Sequence, residues 1–79
     1  MTSYNYYLDG KEMVIRKAAF VHIKAALQVD EEYGNNLDAL ADNLSMLKPN
    51  SIIYLTNVES LKENLGEYGE RMLEVIEYF

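Results

Sequence analysis

The sequence has no cysteine among its 79 residues, which excludes disulfides and any metal centre built on Cys or Cys/His ligands. It has one histidine, and no serine or second histidine is placed to complete a catalytic triad with it. No other set of acid, base and nucleophile is visible. We therefore expect a protein that is not an enzyme and that has neither a cofactor nor a metal.

Long apolar segments are also missing. The longest, "AAFVHIKAAL", is interrupted by His22 and Lys24 and is far too short to span a bilayer. The first residues, "MTSYNYYLDGKEM", lack the basic start and the apolar run of a secretory signal. We expect a soluble protein of the cytoplasm.

Basic residues are scarce, since seven Lys and Arg stand against 13 Asp and Glu and leave a net charge of -6. Binding to nucleic acid depends on Lys and Arg that displace counterions from phosphates, so the charge disfavours it. Attraction to an anionic membrane is disfavoured for the same reason. The charge is compatible with a basic protein partner, and equally with plain solubility.

Two short segments are typical of strands because they are rich in β-branched and aromatic residues. They are "SYNYYL" at 3–8, which runs into a turn at Asp9-Gly10, and "SIIYLT" at 51–56. The helices predicted between and after them make the order strand, helix, helix, strand, helix, helix. This order predicts an α/β fold with a small parallel sheet and about four helices. No repeat or linker is present, so we predict a single domain over residues 1–79.

Apolar residues at helical spacing predict the four helices. The first covers about 15–27, the second opens after Asn35 or Asn36 and ends before Pro49, the third follows Asn57 as its N-cap, and the last covers about 68–79. In the first helix, Arg16, Lys17 and Lys24 are expected outside. In the second, we expect one apolar stripe of Leu37, Leu40, Ala41, Leu44 and Leu47.

Asp38 and Asp42 lie beside that stripe on a more exposed flank of the second helix. Like charges four residues apart share a face and weaken an isolated helix by a few tenths of a kcal/mol, roughly. The pair is either an ordinary solvated face or a surface that binds a cation. The residue pattern alone leaves both interpretations open.

A longer pattern surrounds this pair: the Asp9-Gly10 turn, an amphipathic helix, an acidic loop with Tyr33-Gly34, and "NLDAL" at 36–40 followed by Asp42. From Gly10 to Leu44 this pattern resembles the barstar family, intracellular inhibitors of a secreted bacterial ribonuclease. The later strand and last helix match in type and order. Glu32 and Ala41 stand where the family has a tyrosine and a tryptophan.

The resemblance implies a two-layer barstar-like domain that binds and inhibits a basic ribonuclease or a related toxin, as an antitoxin does. The loop and second helix would plug the active site, with Asp42 imitating an RNA phosphate and Asp38 as a second acid. The partner-binding residues that it implies are Glu32, Tyr33, Gly34, Asn35, Asn36, Asp38, Asp42 and Glu77.

The family has a further strand after the last helix, whereas this sequence ends at Phe79. We therefore expect the third strand to be missing and one sheet edge to be open. Exposed strand edges are templates for pairing, so a homodimer through that edge is possible.

Two interpretations compete with inhibition. One is an acidic interaction module or structural subunit with no nuclease target. The other is an acyl carrier protein, which is also small, acidic and largely helical. In the latter, Ala39 stands where a serine would carry phosphopantetheine, and the predicted strands fit poorly.

Overall fold

The computed structural model describes residues 3–29 and 34–77. Two strands and four α-helices follow one another as β1 (Tyr4–Asp9), α1 (Arg16–Leu27), α2 (Leu37–Ser45), β2 (Ser51–Thr56), α3 (Val58–Leu65) and α4 (Glu67–Glu77), with a 3-10 helix at Gly10–Glu12 after β1. The predicted α/β order is confirmed. Within the described residues, no helix is long and apolar enough to cross a membrane.

β1 and β2 pair in parallel, from Tyr4 opposite Ser51 to Asp9 opposite Thr56, and form a two-stranded sheet. Successive side chains of a strand point to opposite faces. One face is half-buried or buried and contributes Tyr6, Leu8, Ile53 and Leu55 to the core. On the other face Tyr7 and Tyr54 are exposed and stack with ring centroids 5.0 Å apart. In the described part of the chain each strand has one unpaired edge, and self-association there stays a prediction.

The core is formed where the helices meet the sheet and one another. α1 packs on β1, α2 packs on α4, and α3 packs on both α4 and the 3-10 helix. Its buried apolar residues are Leu8, Met13, Ala19, Phe20, Ile23, Leu27, Leu40, Leu44, Leu61, Met72, Leu73 and Ile76. Those that belong to the four α-helices follow the helical spacing that predicts these elements. The last two positions of the predicted fourth helix lie outside the described residues.

Two expectations about helix faces are wrong. Lys24 was expected on the exposed side of α1, but only 7% of it is exposed. It lies one turn after Phe20 and three residues before Leu27, which places it on the flank of the buried side. On α2, Ala41 is exposed, whereas Asn43 is buried and its Oδ1 has no hydrogen-bond partner in the described structure.

Candidate partner-binding site

The start of α2 is closed by a local hydrogen bond. Asn36 has an extended backbone, with φ of -145°, and its Oδ1 accepts a hydrogen bond from the Ala39 N–H at 2.8 Å. This bond satisfies one of the N–H groups that a helix leaves unpaired in its first turn. Of the two asparagines that the sequence offered as N-cap, Asn36 is therefore the one that acts. The N-cap of α2 is therefore formed within residues 36–39.

The preceding residue connects α2 to α1. The Oδ1 atom of Asn35 accepts a hydrogen bond from the Nζ atom of Lys24 at 2.7 Å. Lys24 lies in the last turn of α1 and is buried, whereas Asn35 is exposed. This role of Lys24 was not predicted from the sequence. The available signal was its spacing of four residues from Phe20, which places it beside the core rather than opposite it.

Asp38 and Asp42 are both exposed and lie one turn apart on α2; we call this pair the acidic face. The buried residues Leu40 and Leu44 project from roughly the opposite side of the helix. Asp38 lies in the first turn, where a negative charge interacts favourably with the helix dipole. Across residues 3–29 and 34–77, neither carboxylate forms an ion pair. The acidic face therefore presents two unneutralised carboxylates to solvent.

The other predicted site residues are distributed unevenly. Gly34 is exposed and precedes Asn35 and Asn36, so these three residues and the acidic face lie on one continuous segment. Glu77 is exposed on a different element, at the C-terminal end of α4. Glu32 and Tyr33 lie outside the described residues.

A second polar cluster lies where the two strands end, and none of the predicted site residues forms a hydrogen bond in it. The Oδ1 atom of Asp9 accepts hydrogen bonds from the Asn57 Nδ2 at 2.7 Å and from the Lys11 N–H at 2.9 Å. These two bonds, that from Asn57 foremost, lower the pKa of Asp9 below its ordinary value. The Asp9 N–H donates to the His22 Nε2 at 2.9 Å. The sole histidine thus has a structural contact that links α1 to β1.

The same cluster corrects the expectation that Asn57 caps α3. Asn57 does occupy the position before the helix, but its side chain forms no capping hydrogen bond there. Its backbone is in the left-handed region, with φ of 54°. Its amide is directed to Asp9 instead.

No group of three His, Asp or Glu side chains in the described part of the chain could hold a metal ion. In a comparison with protein-family models, the family described as Barstar (barnase inhibitor) matches residues 4–79. No curated protein matches the chain. The family match covers every element from β1 to α4, and so extends well beyond the segment from Gly10 to Leu44 that carries the resemblance in the sequence.

Proposed function

Because the chain belongs to the barstar family, we propose that it binds a basic ribonuclease or a related toxin and inhibits it by covering the active site. The description of the family, barnase inhibitor, supports ribonuclease inhibition in general terms. The finer part of the proposal is the surface used. We assign it to the segment from Gly34 to Asp42, with the acidic face at its centre.

The observation that carries this assignment is the exposure of both carboxylates on a helix whose buried residues face the core. A ribonuclease holds its RNA substrate through cationic side chains. A carboxylate that enters such a pocket accepts charge-assisted hydrogen bonds, which are often bidentate when the donor is arginine. The net charge of -6 would in addition accelerate the encounter with a basic partner.

The remaining predicted residues would surround this centre. Asn35 and Asn36 lie directly before α2, and Glu32 and Tyr33 belong to the loop that leads to them. Glu77 would contribute from α4 if the partner extends over the end of that helix. The absence of an enzymatic activity of its own, and action as an antitoxin in the cytoplasm, belong to the same proposal.

The test is the substitution Asp42→Ala. The free protein should melt as the wild type does, because Asp42 is exposed and lies off the buried side of α2. Inhibition should weaken by about 2–5 kcal/mol, because the cations of the enzyme would be left desolvated and unpaired. Asp38→Ala should weaken inhibition less. The measurement is a thermal melt beside titrations of barnase and of basic ribonucleases captured from the native cell.

Glu74→Ala is the matched control, since it removes one exposed carboxylate from α4 and changes the net charge equally. It should affect inhibition only through long-range steering. A low melting temperature for Asp42→Ala would make Asp42 a structural residue. Normal melting together with unchanged binding would make the pair a solvated face. If the wild type inhibits no ribonuclease, the acidic interaction module without a nuclease target becomes the better interpretation.

The loss of binding free energy expected for Asp42→Ala partly reflects what is general to the family. Barnase and its inhibitor are themselves a reference case for electrostatic steering and for a strong aspartate hot spot. What the structure of this chain adds is the separation of its acidic face from the core.

A further inference from the structure

Lys24 is a buried residue whose charge needs an explanation. Only 7% of it is exposed, and its neighbours along α1 at the core include Phe20, Ile23 and Leu27. Removing an ammonium from water is costly unless it is hydrogen-bonded or paired. A methionine or leucine would fill the same space without that cost. One of the contacts of the ammonium is the hydrogen bond from Nζ to the Oδ1 of Asn35, which is 2.7 Å long.

Two short described segments lie between α1 and α2, residues 28–29 and 34–36; together we call them the α1–α2 connection, and Lys24 contacts both. At the first end, the carbonyl oxygen of Lys24 accepts a hydrogen bond from the Val29 N–H at 3.1 Å. This bond follows the left-handed C-cap at Gln28, which ends α1. At the second end, its ammonium holds Asn35, the residue before the N-cap Asn36. The first bond is a backbone bond that any residue at position 24 would form, so the contribution of the lysine side chain is the bond to the start of α2.

We propose that Lys24 is a positioning residue that holds the α1–α2 connection, and with it the start of α2, in its partner-binding geometry. This inference rests on the proposed function. A surface that is ordered before association loses less conformational freedom when the partner binds. Lys24 acts through Asn35 and is itself too buried to offer a substantial contact surface.

Because Lys24 is positively charged, an effect of Lys24 on positioning can be distinguished from its effect on long-range electrostatics. The proposed partner is basic, so a positive charge near the interface disfavours association by long-range repulsion. If charge were all that mattered, Lys24→Met would strengthen binding. If Lys24 positions the connection, Lys24→Met weakens binding although it removes an unfavourable charge. The two explanations predict opposite signs.

An open cavity of about 190 Å³ lies beside this contact, and Lys17, Val21, Lys24 and Asn35 line it. The residues that line this cavity suggest two control variants. It leaves room for the larger guanidinium of Lys24→Arg, which keeps a donor for Asn35. Lys17 is exposed and lines the same cavity, so Lys17→Met removes an equal charge from the same place.

The experiment compares Lys24→Met, Lys24→Arg and Lys17→Met by thermal melting and by titration against barnase. Lys24→Met should bind roughly tenfold more weakly, from the freedom regained by the connection. The melts establish that each variant is folded at the temperature of the titration, so that a change in binding is not a change in the folded fraction. Lys24→Arg should restore binding, and Lys17→Met should bind as the wild type does or slightly more tightly.

A second readout needs no partner. In the free protein, NMR relaxation and amide exchange should show that Gly34 and Asn35 lose order in Lys24→Met and keep it in Lys24→Arg. Binding by Lys24→Met as tight as that of the wild type, or unchanged order at these two residues, would overturn the proposal.

Two further results are also decisive. If Lys24→Met does not fold, Asn35→Ala removes, at an exposed position, the acceptor through which Lys24 is proposed to act, and retained order at Gly34 in that variant would overturn the proposal. If the wild type does not bind barnase, inhibition of that enzyme is refuted. The order of Gly34 and Asn35 in the Lys24 variants then still decides whether Lys24 holds the connection.

Discussion

The starts of α2 and α3 use the same residue type in the same place, yet the two asparagines do different things. Asn36 has an extended backbone, and its Oδ1 caps the Ala39 N–H. Asn57 has a left-handed backbone, with φ of 54° and ψ of 45°, and its amide donates to Asp9 at 2.7 Å. The first contact joins residues three apart in the chain, and the second joins residues 48 apart.

The difference shows that residue type limits which hydrogen bonds are possible, and that backbone conformation selects among them. An extended N-cap directs its side chain back over the first turn of its own helix. A left-handed residue directs it elsewhere, and asparagine tolerates this conformation better than most residues. The start of α2 therefore depends on local residues and on the contact from Lys24 to Asn35. The start of α3 depends instead on a contact with the end of the sheet, the hydrogen bond from Asn57 to Asp9.

Among the tests of this difference between the starts of α2 and α3, Gly10→Ala should have the largest effect on stability. A Cβ atom at Gly10 would lie 2.1 Å from the carbonyl oxygen of Asn57, so the backbone at the start of α3 would have to move. We expect a loss of about 3 kcal/mol in the free energy of unfolding, measured by chemical denaturation. Gly34→Ala is the control at the other helix start.

At Gly34 the added Cβ would lie 2.8 Å from Nδ2 of Asn36, an atom of a side chain that can rotate. The cost of Gly34→Ala should not exceed that of a lost cap, about 1 kcal/mol. Equal losses for the two alanine variants would mean that the two helix starts are not held differently.

The second test separates conformation from hydrogen bonding at Asn57. Asn57→Ala and Asn57→Gly both remove the amide that donates to Asp9, but only alanine is strained in the left-handed region. The alanine variant should be less stable than the glycine variant by about 1 kcal/mol in chemical denaturation. In both variants the pKa of Asp9 should rise toward its ordinary value, because the bond that lowers it most is gone.

Because the folded-state pKa of Asp9 is depressed, the associated stability is present above the ordinary value of 3.8 and is lost as the pH falls through the lowered pKa. The two Asn57 variants should lose part of this acid dependence. Equal stabilities of the alanine and glycine variants, or an unchanged pKa of Asp9 in an NMR titration, would contradict the role assigned to Asn57.

The smallest effect is expected at Asn36. Asn36→Ala removes the cap and should cost about 1 kcal/mol, while Asn36→Asp keeps an acceptor and should cost little. Amide exchange should locate the damage at the start of α2, in particular at the Ala39 N–H, and leave β1 and β2 protected. Faster exchange throughout the sheet in Asn36→Ala would show that this helix start is not local after all.

Local features of the sequence predicted most of the fold. The predicted second strand, 51–56, coincides with β2, and the first differs from β1 by one residue at each end. Each helix was predicted within a few residues because the spacing of apolar residues records which side meets a core. The exposed acidic face was predicted in the same way. Its role toward a partner depends on a second protein and stays a proposal.

The sequence by itself determined the elements, their order and the position of the acidic face, because each depends on residues close together in the chain. The parallel pairing followed from the helices that connect the two strands. The tertiary structure alone decided that the ammonium of Lys24 donates to Asn35, that the amide of Asn57 donates to Asp9 instead of capping α3, and that position 10 has no room for a Cβ atom. Each of these results comes from an atom of a residue distant in sequence. Propensity and periodicity carry no information about such an atom until the chain has folded.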